Sequence, residues 1–308
     1  MTKLQMAEKL AALNPEKLKL LEKMMASRRD PSPAPAVEFE PKALQSFYSQ
    51  AERTKEGTRS FYDAINDRLD QTIFGACSAF LNYGYVADDS RQVSAIDLPL
   101  GTFNRNSVKL VLELIGDCNL AGKRVLDVGC GRGGTLAVVN QFFNVDLKVG
   151  VDLSPRAIDF CRRTHQFPNI RFEPADAEHL PFSDASFDVV LNVESSHSYL
   201  AIEAFYREVK RVLVPGGYFL YTDVFARDKF DRQQAMLQEM GFFIEQERDI
   251  TRNVLLSCLD AAERRAEAFD PKGKGPVFDD FLSTPGSAVF QEMESGRAAY
   301  RILKMRRS

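Results

Sequence analysis

The sequence predicts an α/β fold in which a mostly parallel sheet carries helices on both faces. Three observations support this. From about residue 107 onward, short apolar segments alternate with amphipathic stretches; the first segment runs into a glycine-rich turn that opens a helix; and acidic residues stand at or just past the ends of the first three segments. Such alternation is satisfied by parallel strands joined through crossover helices.

The elements follow in order. Val108, Leu110, Val111, Leu114 and Ile115 recur as on a helix, which precedes a strand over residues 124–128. Further strands are expected at 148–152, 170–173, 187–193 and 218–223, with helices at 135–143, 154–165 and 201–214 and a turn-rich stretch before the fourth strand. Ser154 and Pro155 supply an N-cap and a proline at the first helical position. A helix begun near Asp228 ends at Gly241, another covers 251–269, residues 270–276 read as a mobile loop, and 299–305 as a final strand. Upstream, residues 1–29 read as two short helices, the second opened by Asn14-Pro15-Glu16, and 30–41 as an extended proline-rich spacer. Residues 42–106, with Phe47, Tyr48, Phe61, Tyr62, Phe74, Phe80, Tyr83 and Tyr85, read as a helical cap. The expected division is a docking-like segment (1–29), linker (30–41), cap (42–106), core (107–250), helical lid (251–289) and closing strand (290–308).

Composition narrows the function. The 308 residues suffice for a large core, and 44% apolar with 27% charged residues is typical of soluble domains. No segment approaches the roughly 20 apolar residues of a membrane span. A net charge of -3 argues against a dedicated nucleic-acid binder. The N-terminus fits neither a secretory signal nor a transit peptide, so a cytoplasmic protein is expected. Five scattered cysteines (Cys77, Cys118, Cys130, Cys161, Cys258), with no C-x-x-C, read as buried free thiols.

The chemistry concentrates in Val125-Leu126-Asp127-Val128-Gly129-Cys130-Gly131-Arg132-Gly133-Gly134, a buried strand entering a glycine turn where side chains would block a ligand's approach to the backbone. Gly129, Gly131 and Gly134 alone also satisfy a dinucleotide fingerprint. Four features separate the cofactors. Asp152 ends the second strand, where a carboxylate can accept ribose hydroxyls. Asp127 would repel a pyrophosphate but suits ammonium and sulfonium charges. Asp176-Ala177-Glu178 follows the third strand, with Leu180-Pro181-Phe182 as apolar neighbours for a ring. Phe187–Asn192 enters the fourth strand and Pro215-Gly216-Gly217-Tyr218 turns into the fifth.

In this order and spacing the residues resemble the successive motifs of the class I S-adenosylmethionine-dependent methyltransferases, strongly over about 107–225 and weakly on the flanks. The resemblance implies a Rossmann-like, seven-stranded sheet with an antiparallel last strand, and the donor across the carboxyl ends of the first strands, leaving as S-adenosylhomocysteine. It places Gly129, Gly131 and Gly133 along the methionine portion, Asp152 at the ribose, Asp176 and Ala177 at the adenine and Asn192 near the sulfonium, with Leu153 a further residue at the cofactor. His197, just past the fourth strand, is the best candidate base, since His165 and His179 sit at a helix end and in a loop without an evident partner. Glu194 is expected to orient or charge-stabilise it.

The stretches 80–85 and 192–197 narrow the resemblance to methyltransferases of microbial natural-product pathways, including O-methyltransferases of polyketide assembly lines and of mycobacterial glycolipid synthesis. Those carry a helical lid and, in some members, a histidine base with a glutamate; Tyr85 is the cap aromatic expected to close over the donor. Residues 13–23 resemble interdomain linkers of synthases, which implies docking to synthase modules, though an ordinary amphipathic helix accounts for them equally. The expected reaction is metal-independent O-methylation of a hydroxyl on a polyketide-like, lipid or phenolic small molecule, free or bound to an acyl carrier protein. C- or N-methylation of a similar acceptor, a nicotinamide-dependent oxidoreductase and a non-catalytic binding module are the alternatives.

Overall fold

Helix α1 spans Lys55–Asp70 and α2 spans Arg105–Ile115. The core then runs β1 (Arg124–Val128), α3 (Gly134–Phe142), β2 (Leu147–Asp152), α4 (Pro155–Thr164), β3 (Ile170–Pro174), β4 (Phe187–Val193), α5 (Ile202–Val212), β5 (Leu213–Ala226), α6 (Arg227–Glu239), β6 (Phe242–Asp249), α7 (Thr251–Phe269), α8 (Ala288–Glu294) and β7 (Ala298–Arg307). The structure is a computed structural model that describes residues 53–70, 78–88, 96–99, 102–269 and 280–308. The docking-like segment, the proline spacer, Phe47, Tyr48, Phe74, Cys77 and the 270–276 loop lie outside these residues.

Seven strands form one sheet in the order β3-β2-β1-β4-β5-β7-β6. The first five are parallel, while β7 runs antiparallel between β5 and β6. The winding direction reverses between β1 and β4, where an open α/β sheet leaves a crevice at its strand tips. Along β1, Val125 packs into one apolar cluster while Leu126 and Val128 pack into the other, so each face of the sheet has its own core.

The expected strands and helices of the core are present within a few residues, including the Ser154 cap, whose Oγ accepts from Ala157 N at 3.1 Å. Three features differ. The sheet has the seven strands and the antiparallel last strand that the resemblance implies, but β6 and α8 have no counterpart among the elements read locally: β6 (FFIEQERD) is an edge strand, apolar only at its start, and its polar remainder gives no strand signal. The chain's last strand lies inside the sheet. In the cap region α1 is helical, with Phe61, Ile65 and Leu69 as its buried stripe, but residues 78–88 are irregular. Gly84, at φ +75, explains the break: a Cβ there would meet Ser257 and Asn106. The segment is held by Tyr85 N to Asn106 O (2.9 Å) and Val86 N to Asn253 O (3.2 Å). The first half of α7 is a core element, with Val254 and Cys258 buried beside Tyr300 and Ile302. Among the described residues, Cys118, Cys130 and Cys161 are free thiols and, like Cys258, buried, and no helix is long and apolar enough to cross a membrane.

Candidate functional site

The tips of β1, β2 and β4 border a cleft that opens to solvent. Gly129, Cys130, Gly131 and Arg132 form its floor, Asp152 and Leu153 one wall, Asp176, Ala177 and Glu178 the next, and Glu194, Ser195 and His197 the far end; α1 and residues 79–83 cover it.

The glycine turn works through backbone and packing together. A Cβ on Gly131 (φ +50) would meet only Leu81, at 3.7 Å, so its bare backbone faces open space. Gly133 does something else: it starts α3, and a Cβ there would lie 2.6 Å from the His165 ring. It is a helix-packing glycine and does not border the cleft, which corrects the expectation that it lines the donor. Arg132 ties the turn to the cap, donating to Ser78 O (2.7 Å), Asn66 Oδ1 (3.0 Å) and Asp70 Oδ1 (2.8 Å) while its guanidinium stacks 3.4 Å from the centre of the Phe160 ring.

The acids have separate environments. Asp152 accepts Gly131 N on Oδ2 (2.8 Å) and Ser154 N on Oδ1 (2.9 Å), leaving each oxygen further acceptor capacity. Burial pushes its carboxyl up, and those two bonds oppose the push. Asp176 is paired with Lys55, which also reaches Glu178 Oε2 at 2.7 Å. Burial raises the Asp176 carboxyl, but Lys55, the Glu178 N–H and His179 together turn the net direction down. Asp127 lies beneath the turn, 1% exposed, with no hydrogen-bond partner for either oxygen among the described residues. Burial, then the nearby Asp152 charge, pushes it up to about 8.

At the far end, His197 sits in a 3-10 turn (Ser196–Ser198). β5 extends beyond the end of β4, and this overhang carries Asp223 to the turn. His197 Nδ1 lies 2.8 Å from Asp223 Oδ1, and His197 N donates to Oδ2 at 3.0 Å. Nε2 is left as the ring nitrogen available for proton transfer. Burial lowers the imidazole, but the Asp223 charge and hydrogen bond, aided by Glu194, raise it above its ordinary 6.5. Arg53 donates to His197 O (3.0 Å), and Tyr62 OH bonds Ser198 Oγ (2.8 Å), so the cap also holds this turn.

Three further expectations are corrected. Glu194 does not orient His197, because its Oε2 accepts Tyr83 N (2.8 Å) and Tyr300 OH (2.6 Å), although its charge does favour the imidazolium. Its backbone, at φ +51, turns the side chain away along the cleft, and burial pushes its carboxyl up to about 7. Asn192 is fully buried below the floor, donating to Val128 O (2.8 Å) and Ser195 Oγ (2.8 Å), so it supports the wall without lining it. Tyr85 is a core residue, 2% exposed, and Tyr83 and Tyr62 border the cleft in its place. The reversal at Gly84 decides which tyrosine turns inward. Asp223 was missed because it appears in sequence only as the end of an apolar strand.

The switch-point crevice, the bare glycine backbone and the ring of carboxylates define an α/β enzyme that binds an adenosine-bearing cation. Comparison with known proteins gives the family. Residues 126–221 match the methyltransferase domain family. The chain is 36% identical over 238 residues to a fatty-acid O-methyltransferase of Mycolicibacterium smegmatis, covering 72% of this chain and 81% of that protein. It is 33% identical over 229 residues to the phthiotriol/phenolphthiotriol dimycocerosates methyltransferase of Mycobacterium tuberculosis, covering 72% and 83%. Among solved structures, the [4+2]-cyclase SpnF shares the fold, with TM-score 0.64, 22% identity and coverage of 82% of this chain and 96% of that one. The chain belongs to the class I S-adenosylmethionine-dependent methyltransferases.

The residues present fit that donor. Gly131 offers open backbone and Asp152 retains acceptor capacity on the cleft, while Asp127, beneath the turn and outside the cleft lining, has an unpartnered carboxyl whose ionised form the field of a cation would favour.

Proposed function

We propose that the enzyme methylates a hydroxyl group on a lipid-like or polyketide-like acceptor, with His197 as the base. The observation that carries this reading is the Nδ1–Asp223 contact, which leaves Nε2 free beside the cleft. S-adenosylmethionine, when bound, supplies a methyl carbon already activated by the sulfonium. His197 takes the acceptor's hydroxyl proton on Nε2 and Asp223 stabilises the imidazolium that forms; the bound donor would give up its methyl group to the acceptor oxygen, its carbon–sulfur bond breaking to leave S-adenosylhomocysteine. Gly129 and Gly131 with Asp152 hold the donor, Asp176 with Ala177 borders the adenine, and Phe80, Leu81, Tyr83 and Phe281 shield the reacting atoms from water.

The charge of the cleft favours a neutral acceptor. Asp152, Asp176 and Glu178 border it, and its cations Lys55 and Arg132 both engage carboxylates. An anionic head would meet net repulsion, whereas a hydroxyl on an apolar chain would not. The M. smegmatis relative is named for fatty acids, whose carboxylates need no base. An acceptor bound to a carrier protein in the cytoplasm, docked through residues 1–29, belongs to the same proposal.

The test is mass spectrometry of products from a panel of long-chain alcohols, hydroxyacyl esters and carriers, phenols and free fatty acids. Ether products, with turnover lost in His197→Ala and donor affinity retained, are expected. Methyl esters formed from free acids at undiminished rate in His197→Ala would sink the reading.

A further inference from the structure

Ser196 links the base to a buried pair of tyrosines. Its Oγ donates to Asp223 Oδ2 at 2.6 Å and lies 2.7 Å from Tyr221 OH, which lies 3.2 Å from Tyr206 OH. Ser196 is 2% exposed and both tyrosines are fully buried. The β5 pleat puts Tyr221 and Asp223, two residues apart, on one face, and α5 packs Tyr206 against it.

The chain of hydroxyls has a direction. An ionised carboxylate only accepts, so the single Ser196 hydrogen is committed to Asp223; Tyr221 then donates to Ser196, and Tyr206 to Tyr221. All three hydroxyl hydrogens point toward Asp223. That carboxylate also accepts His197 N on Oδ2 (3.0 Å), and Val224 N (2.8 Å) and His197 Nδ1 (2.8 Å) on Oδ1, which fills its four acceptor positions.

We propose that Ser196 and Tyr221, backed by Tyr206, are positioning residues for methyl transfer: a directional hydroxyl chain that limits the negative charge Asp223 presents to His197. The proposal rests on the reading of His197 as the base. Aligned hydroxyls polarise one another and place positive dipole ends at the carboxylate, so the imidazolium feels less of its charge. Removing the Ser196 hydroxyl restores that charge, and His197 then holds its proton more tightly. A base that released its proton only at high pH would be idle near neutrality.

Other groups act on the same imidazole. Glu194 faces it from the β4 loop, Arg53 from ahead of α1, and Lys229 of α6 lies within the fields of Asp223 and Arg53. Tyr62 of α1 reaches it through Ser198, Asp152 lies at the β2 tip, and Tyr300 of β7 holds Glu194. All of these remain in place when one hydroxyl is removed, so a change between variant and parent reports the chain.

The experiment is an NMR titration of the full-length protein, which has three histidines, with the His197 ring signal assigned by its loss in His197→Ala. Ser196→Ala is expected to raise the His197 midpoint by on the order of half a pH unit, the scale of losing part of one charge-assisted hydrogen bond. Tyr221→Phe should raise it less, Ser196→Thr should match the parent, and the pH profile of turnover should move with the midpoints. If Ser196→Ala does not fold, Tyr221→Phe decides: a rise supports the chain and no change overturns it. Unmoved midpoints alongside an inactive His197→Ala would overturn the hydroxyl chain alone. Full turnover in His197→Ala would overturn the base reading, and the catalytic part of this proposal with it.

Discussion

The imidazole of His197 is held by Asp223, a residue 26 positions downstream on the neighbouring strand, through a 2.8 Å contact at Nδ1. The pairing selects the tautomer with Nε2 unprotonated. Asp223→Asn keeps the shape but removes the charge that raises the imidazole. Turnover should fall by about 10²- to 10³-fold with donor affinity unchanged, as expected for losing a general base's charged partner. The pH of half-maximal turnover should move down, because burial, which lowers the imidazole, is then unopposed by Asp223. Steady-state kinetics against pH, with calorimetric donor binding, reads both effects.

Asp127 and Glu194 hold protons in the folded chain far above their ordinary 3.8 and 4.5, at about 8 and about 7. Because the folded state binds these protons more tightly than the unfolded state, stability falls as pH rises from about 4.5 to about 8. A cationic donor reverses the balance at Asp127 by favouring its ionised form. Donor binding at pH 7 should therefore release a proton, seen as a dependence of the calorimetric enthalpy on the buffer's ionisation heat. Asp127→Asn should abolish the release and flatten the fall of melting temperature with pH.

Two glycines of one turn should fail differently. Gly131→Ala meets nothing closer than 3.7 Å in the protein, so its Cβ should cost donor affinity, about tenfold or more, with a modest drop in melting temperature from its positive φ. Gly133→Ala drives a Cβ into His165 and should lower the melting temperature far more. Thermal scans with and without donor separate the two.

Lys55 joins the covering helix α1 to Asp176 and Glu178 across the mouth of the cleft. The pair is partly exposed, so its loss is worth on the order of 1 kcal/mol or less. Lys55→Met should loosen α1, raising its amide exchange and speeding S-adenosylhomocysteine release about threefold. Stopped-flow release together with hydrogen exchange measures this.

Much of the fold was legible locally. Continuous apolar runs such as Val125–Val128 and Phe187–Val193 mark strands buried on both faces, and the glycine turn with Asp152 and Asp176 marks the cleft at the strand tips. β6 was not legible because an edge strand needs few apolar residues. The donor side could be read because each of its groups sits at the tip of a strand visible in sequence.

The sequence by itself determined the parallel core, the glycine turn after β1 and the place of His197 just past β4, since those depend on short-range periodicity and on residues within one β-α unit. Tertiary structure alone decided what surrounds the imidazole. The β5 overhang brings Asp223 to it, the turn at Glu194 directs that acid to Tyr83 and Tyr300, and Gly84 exchanges Tyr85 for Tyr83 at the cleft. Strand length, register and backbone sign are set by packing across the whole sheet, and no local pattern of residues records them.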